Sequence, residues 1–423
     1  FTSSTDSNNT AVGFSAGASV TTGISNTLIG GLAGDALTDA DYNTAVGYGA
    51  LSTDTLGLRS TAVGYNTLSE QNFTSATTSY NTAVGFGAGS NVTTGVNNTL
   101  IGGLAGDAIT TANDNTAVGY ACLSDNTTGD NNTAVGKEAL GRNTTGIRNQ
   151  AFGRLALDHN TSGQDNTGLG YAALTANTNG TSNVAVGNFA LETATTAANN
   201  TAVGTSALSA TVSGGYNVAV GGSALAANLA ADNTAVGYVA LAANTTGTNN
   251  IAVGNNALDS NTTGGSNVAV GQGSLAANTT ASYNTAMGRN TGLAVTTGYS
   301  NTLIGYSVCT SLTSGIGNVV IGNGCNMAGG TNYAMALGLN LTPTGGYTTL
   351  GDGSSDIRAA HGNVTWATVS DQRYKKDIVD STAGLSFINA LQPRTFKYKT
   401  LGELPETFNA YEADSTKVFK NSD

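Results

Sequence analysis

The feature that most constrains this chain is a restart every 17 residues. From Asn9 it reads NTAVGFSAGASVTTGIS, then NTLIGGLAGDALTDADY, then NTAVGYGALSTDTLGLR, and 19 such units follow one another up to the one that begins at Asn318. The step is 17 residues except for one of 21 from Ser60 and one of 16 from Asn217, and the stretch 9–48 returns almost unchanged at 81–120. A period of this length is the signature of a solenoid, in which each repeat is one coil that cannot bury its apolar stripe alone and does so against its neighbours.

Each position of the unit has a physical reading. The first is Asn in 18 of 19 units, with Ser60 the exception. Asn suits turns and left-handed backbone, its amide bonds to nearby backbone, and once per coil it can stack into an amide ladder. The next three alternate, as in Thr10-Ala11-Val12 and Val268-Ala269-Val270; this predicts a short strand with one bulkier face and one face of Ala. The fifth is Gly in every unit, from Gly13 to Gly322, which calls for a positive φ or for a second backbone too close to admit a Cβ. An apolar pair such as Ala139-Leu140 then points inward, and Asn-Thr-Thr-Gly, as at Asn143 to Gly146, turns the chain back. One unit is therefore expected to be one coil of strand, Gly corner, second strand and turn. With about 4.8 Å between stacked strands, 19 coils extend roughly 90 Å. A coil so thin has little core, so chains are expected to pack side by side about an axis.

Composition agrees with a built fold. Charged residues are 10% and Pro numbers 3, against 58 Gly and 39% apolar residues, whereas disorder pairs low hydrophobicity with charge and Pro. The net charge of −11 argues against nucleic acid and anionic membranes, which require clustered Lys and Arg. No run reaches the roughly 18–20 apolar residues of a membrane span. Residue 1 is Phe with no signal-peptide pattern after it, as expected of a fragment or a processed chain. Cys122, Cys309 and Cys325 cannot form a disulfide framework; Cys309 and Cys325 lie about one repeat apart, and all three read as small buried fillers.

The N-T-A-V-G-Y-x-A-L units over roughly residues 9–338 resemble the head repeats of trimeric autotransporter adhesins, which form a left-handed parallel β-roll, and equally the shaft repeats of phage tail fibres. The resemblance implies an all-β, trimeric parallel β-solenoid shaft; the number three comes from it and not from the spacing. Past residue 322 the pattern decays, with NYAMALGLN near Gly338 a last echo, and residues 323–369 are expected to form an irregular distal tip. Irregular segments on rigid scaffolds usually carry recognition, so Tyr333, Tyr347, His361 and Trp366 are the candidate receptor-binding residues.

Residues 370–423 hold 8 of the 15 basic residues and two of the three prolines, so a new domain is expected to start near Ser370. Its opening, SDQRYKKDIVDSTAGLSFINALQPRTFKYK, resembles the intramolecular chaperone of endosialidases and phage tail fibres, through Ser370, Asp371, Arg373, Lys375, Ile378, Leu391, Pro393, Phe396 and Tyr398. The resemblance implies the start of an α+β domain that assembles the trimer and then cuts itself off, here at Val369–Ser370, with Ser370 Oγ as nucleophile. Serine needs a base for this; Lys375, deprotonated by partial burial and by Lys376 and Arg373, is the candidate, with Asp371 orienting the site. The alternative is that Ser370-Asp371 caps a helix.

Other motifs carry less. His159 and His361 have no neighbours at ligand spacing, so no metal and no cofactor is expected. GDGSSD, Gly351 to Asp356, reads as a loop because it lacks the spaced ligands of a Ca²⁺ site. Tyr48, Tyr65, Tyr120, Tyr171 and Tyr238 follow the corner Gly and read as a packing or solvent-facing stripe, with sugar stacking as the alternative. The sequence as a whole reads as an extracellular virion tail fibre. Its expected partners are two further copies of itself, other tail proteins and a host-surface receptor of glycan type, and its only chemistry is self-cleavage. A bacterial trimeric surface adhesin and a polysaccharide depolymerase are the alternatives; the latter needs paired carboxylates in a cleft, whereas the Asp and Glu here are scattered through coil turns.

Overall fold

A computed structural model describes residues 7–362, 367–368 and 413–417. The chain divides into two units, Phe1–Val369 and Ser370–Asp423, and the repeats lie in the first. The described residues of that unit are all-β, without helix, and 23 strands form one sheet from Thr10–Val12 to Ala367–Thr368. The repeat strands from Thr10–Val12 to Thr302–Ile304 are three residues long and pair in parallel, each position on the same position of the next coil: Thr201, Ala202 and Val203 lie beside Val218, Ala219 and Val220. The 16-residue step does not disturb this register, since Val218 pairs with Thr234.

Among the described residues the second strand expected in each coil forms only at the 21-residue step, where Gly57–Leu58 pairs with Thr77–Thr78; the other repeats lack it. The chain after the corner Gly instead runs through tight turns with left-handed residues two and four places on, as at Ser206 (φ 55°) and Leu208 (φ 53°), and again just before the next Asn, at Tyr216 (φ 60°). These turns still join neighbouring coils, Leu208 N donating to Ala224 O at 3.0 Å. The second side is thus a stack of identical turns that share hydrogen bonds without forming a ladder of extended residues.

The corner Gly satisfies both conditions that its invariance implied. Gly204 has φ 135°, and a Cβ there would lie 2.6 Å from the carbonyl of Gly221 in the next coil. Consecutive corners are therefore in backbone contact, and no side chain fits between them.

The core is a column of the third-position residue and the apolar pair, such as Ala202, Ala207 and Leu208, all fully buried. Where the strand contributes Leu instead of Ala, the pair loses its own Leu. Leu28 comes with Gly34 and Leu37, and Leu100 with Gly106 and Ile109; a Cβ on Gly34 would meet Leu28 Cδ2 at 2.7 Å. The column keeps its volume while exchanging which side fills it, as a close-packed interior demands.

Asn is part of this interior. From Asn26 onward the first-position residues are buried, and each holds its neighbours: Asn183 Nδ2 donates to Asn166 Oδ1 (3.1 Å) and to Ala197 O (2.7 Å), while Asn183 Oδ1 accepts from Asn200 N (3.1 Å). The amide ladder is thus present, and the left-handed residue is the one before the Asn. A second ladder runs through the turn, where Asn143, Asn160 and Asn177 each donate to the Asn one coil earlier at 2.6–2.8 Å.

The stretch expected to be irregular contains regular strands. Met335–Leu339 pairs in parallel with Val319–Asn323, and Tyr347–Asp352 with Met335–Leu339, Gly338 standing beside Gly322 and Gly351. Ala334 takes the Asn place and still donates its N–H to Asn318 Oδ1 at 2.9 Å, but having no amide it ends the ladder. The chain then reverses: Tyr347–Asp352 and Ser355–Ala360 form an antiparallel hairpin, with GDGSSD at its turn. The edge of the parallel stack is covered by its own chain.

Gly204→Ala combines backbone strain of about 1–3 kcal/mol with an overlap on the next coil, and is expected to destabilise by about 3 kcal/mol or more. Gly346→Ala, at φ 75° with nothing within 4 Å, is expected to lose about 1 kcal/mol. Urea unfolding of both variants checks this, and equal midpoint shifts would contradict the corner-contact account.

Candidate functional site

Chemistry-bearing side chains gather at two departures from the regular stack: the long coil from Ser60 and the distal end. In the long coil the first-position residue is Ser, so the Asn ladder loses a rung. Asn43 Oδ1 still accepts from Ser60 N at 2.8 Å, but Ser60 offers no amide to Asn81. Gln71, in the added loop, fills the gap. Its Nε2 donates to Asp54 Oδ2 (2.7 Å) and Ser60 Oγ (2.8 Å), and its Oε1 accepts from Asn81 Nδ2 (2.8 Å). Asp54 Oδ1 also receives Gly57 N (3.0 Å) and Phe73 N (3.1 Å), Ser79 Oγ lies 2.6 Å from Ser60 Oγ, and Gly57–Leu58 pairs with Thr77–Thr78. All five polar side chains are fully buried, and burial raises the Asp54 carboxyl above its usual value despite the bond from Gln71. The cluster is closed and polar, with no access for a substrate. It repairs the ladder.

At the distal end the hairpin brings three of the four receptor candidates together. Gly346 N donates to Tyr333 O (3.1 Å) and Gly346 O accepts from His361 N (2.8 Å), with Tyr347 next in the strand. Tyr333 and His361 are exposed, Tyr347 is half-buried, and His361 Nε2 lies 3.4 Å from Thr348 Oγ1. Trp366 lies outside the described residues, as do Ser370, Asp371 and Lys375 of the expected cleavage site.

Aromatic and cationic side chains line the shaft surface. Tyr48 and Tyr65 stack at 5.7 Å between ring centroids, and Tyr65 and Phe86 at 5.3 Å, with their planes nearly parallel. Lys137 sits over Tyr120 and Arg154 over Tyr171. The three cysteines are free and fully buried, and burial pushes the Cys122 and Cys309 thiols up to about 12, Cys325 adding to the effect on Cys309. All three pack as small buried fillers. His159 Nδ1 lies 3.0 Å from Thr175 O, and no three His, Cys, Asp or Glu converge as a metal site among the described residues.

Sequence reasoning missed Asp54, Gln71 and Ser79. The available signals were the 21-residue step, Ser60 in the Asn place, and Asp54 where the turn usually holds Asn.

Burial raises four carboxyls, Asp35, Asp54, Asp107 and Asp158, and Asp35 Oδ1 and Asp107 Oδ1 have no partner among the described residues. A carboxyl raised in the fold binds its proton before the unfolded chain does. Its contribution to stability therefore grows as the pH falls from neutral, until the unfolded chain protonates near about pH 3.9. Asp165, held low by Arg148 at the exposed 2.7 Å pair, acts in the opposite sense, but below that window and weakly. The urea midpoint at pH 5 is expected to equal or exceed that at pH 7.5; a clear fall would contradict this.

No curated protein and no solved structure is significantly similar to the chain. Among the described residues no helix is long and apolar enough to cross a membrane. Residues 370–416 match the family described as chaperone of endosialidase, and a β-solenoid shaft followed by a chaperone segment of that type is the architecture of this chain.

Proposed function

We propose that the chain is the shaft and receptor-contacting end of a phage tail fibre. In this reading three copies assemble in parallel with the help of the segment that follows Val369. The observation that carries the reading is the junction of a long one-strand-per-coil solenoid with a chaperone-of-endosialidase match at 370–416. The role is mechanical and adhesive: a stack of identical coils is a stiff rod, and the hairpin end presents Tyr333, Tyr347 and His361 beside one another. Attachment to a glycan at the host surface is assigned to that end, because exposed aromatic and imidazole groups on a rigid hairpin suit sugar contact.

The chaperone segment is proposed to act once. Lys375 takes the proton of Ser370 Oγ as the oxygen attacks the Val369 carbonyl. The Val369 C–Ser370 N bond breaks, and the Ser370 amine leaves with a proton. Water then hydrolyses the resulting Val369–Ser370 ester to a Val369 carboxylate and a free Ser370 hydroxyl, which separates the fibre from its assembly factor. The experiment is the mass of the full chain under native and denaturing conditions, beside Ser370→Ala. Expected are a three-chain native mass, a wild-type chain that ends at Val369, and an uncut variant. A single-chain native mass would overturn the assembly, and full-length wild-type chains in an assembled trimer would overturn the cleavage.

A further inference from the structure

We propose that the outer face of the solenoid sheet, formed by the second and fourth positions of every coil, is the surface through which parallel copies of this chain pack along the fibre. The inference rests on the multi-chain reading above and says where the chains meet. The inward third position of each strand is buried, so positions two and four turn outward. From Val12 to Leu337 the fourth position is always Val, Ile, Leu, Met or Phe, and the second is Thr, Val, Ile or Met except at Gln150. Neither position carries a charge in any coil, although the chain has 26 acidic residues. The row is only partly covered in a single chain: Val253 is 37%, Leu169 46% and Leu337 55% exposed, and others such as Val135 and Val203 are half-buried.

An uninterrupted apolar stripe on a protein surface marks an interface. Twenty strands at about 4.8 Å spacing, each three residues of about 3.3 Å, make a strip of roughly 90 by 10 Å, or about 900 Å². A standard stable interface uses about 800 Å² per partner. The occupant must be as long and straight as the strip and repeat at the same spacing. Another copy of this solenoid meets all three conditions, and its own strip is uncharged, so no carboxylate is buried on contact. The sixth-position aromatics beside the strip fit the same reading. Tyr65 lies stacked between Tyr48 and Phe86, which covers both of its ring faces and leaves its edge for lateral packing.

The test uses single cysteines on the full chain and a short bismaleimide. Val135→Cys, Val203→Cys and Val253→Cys lie on the strip; Asn131→Cys, Asn199→Cys and Asn249→Cys lie just before the first-position Asn of their coils. The native cysteines are fully buried. Same-residue cross-links are expected at least tenfold faster from the strip than from the Asn sites. Equal or faster linking from the Asn sites, in a protein of multimeric native mass, would overturn this face while leaving the fibre reading intact. A one-chain native mass would remove both. As a second measurement, Val203→Lys with Val220→Lys is expected to lower the native mass of the assembly, and an unchanged multimer would count against the strip.

Discussion

Almost every coil of this protein is fastened to the next by a buried Asn that bonds in two directions along the stack. A coil of 17 residues has one three-residue strand and a few small apolar side chains, far too little to hold a chain in place. The Asn amide supplies what the core cannot. It satisfies the backbone of the coil ahead, the amide of the coil behind and a carbonyl of the turn. Net stabilisation of such a bond is about 0.5–1.5 kcal/mol, but an abandoned buried partner costs about 1–3 kcal/mol. The ladder therefore enforces register more than it adds strength, and a slip of one residue would strand every rung.

The corner Gly makes the same demand sterically. Since Gly204 and Gly221 approach to the point where no Cβ fits between them, the coil spacing is set by backbone contact and every unit must bring a Gly to the same place. Amide and glycine together explain why length varies only in the turns. The extra residues after Ser60 are accommodated outside the strand, and the missing rung is replaced by Gln71 held against Asp54. The exchange of Leu between strand and turn, as at Leu28 with Gly34, shows equal freedom inside a fixed volume.

Much of this was legible in the sequence, because Asn, Gly and the alternating triplet each have a narrow physical meaning once they recur. What was not legible depended on neighbours. Leu208 at φ 53° is an unusual residue for left-handed backbone, and propensity alone favours a second strand there; in the stack of turns, bonds between coils offset the strain. The second Asn row looked like simple turn chemistry, because Asn-Thr-Thr-Gly is turn chemistry in isolation and becomes a ladder only when Asn160 finds Asn143. The coil led by Ala334 read only as a last echo of the repeat, marked by Gly338, because its Asn is missing. At the distal end, the sequence pointed to Tyr333, Tyr347 and His361 because they lie in a stretch that read as irregular; that Tyr333 and His361 both bond to Gly346 depends on contacts between segments 13 and more residues apart.

That each unit advances the chain by one strand spacing can be measured by pulsed electron resonance. Spin labels are placed pairwise at the exposed residues that precede the first-position Asn, in samples diluted with unlabelled chain. Labels at 131 and 182 are three coils apart, and labels at 131 and 249 are seven coils apart. At about 4.8 Å per coil the backbone separations are roughly 14 and 34 Å. Distances that grow in that proportion are predicted; distances that do not scale with the number of coils would contradict the stacked-coil account.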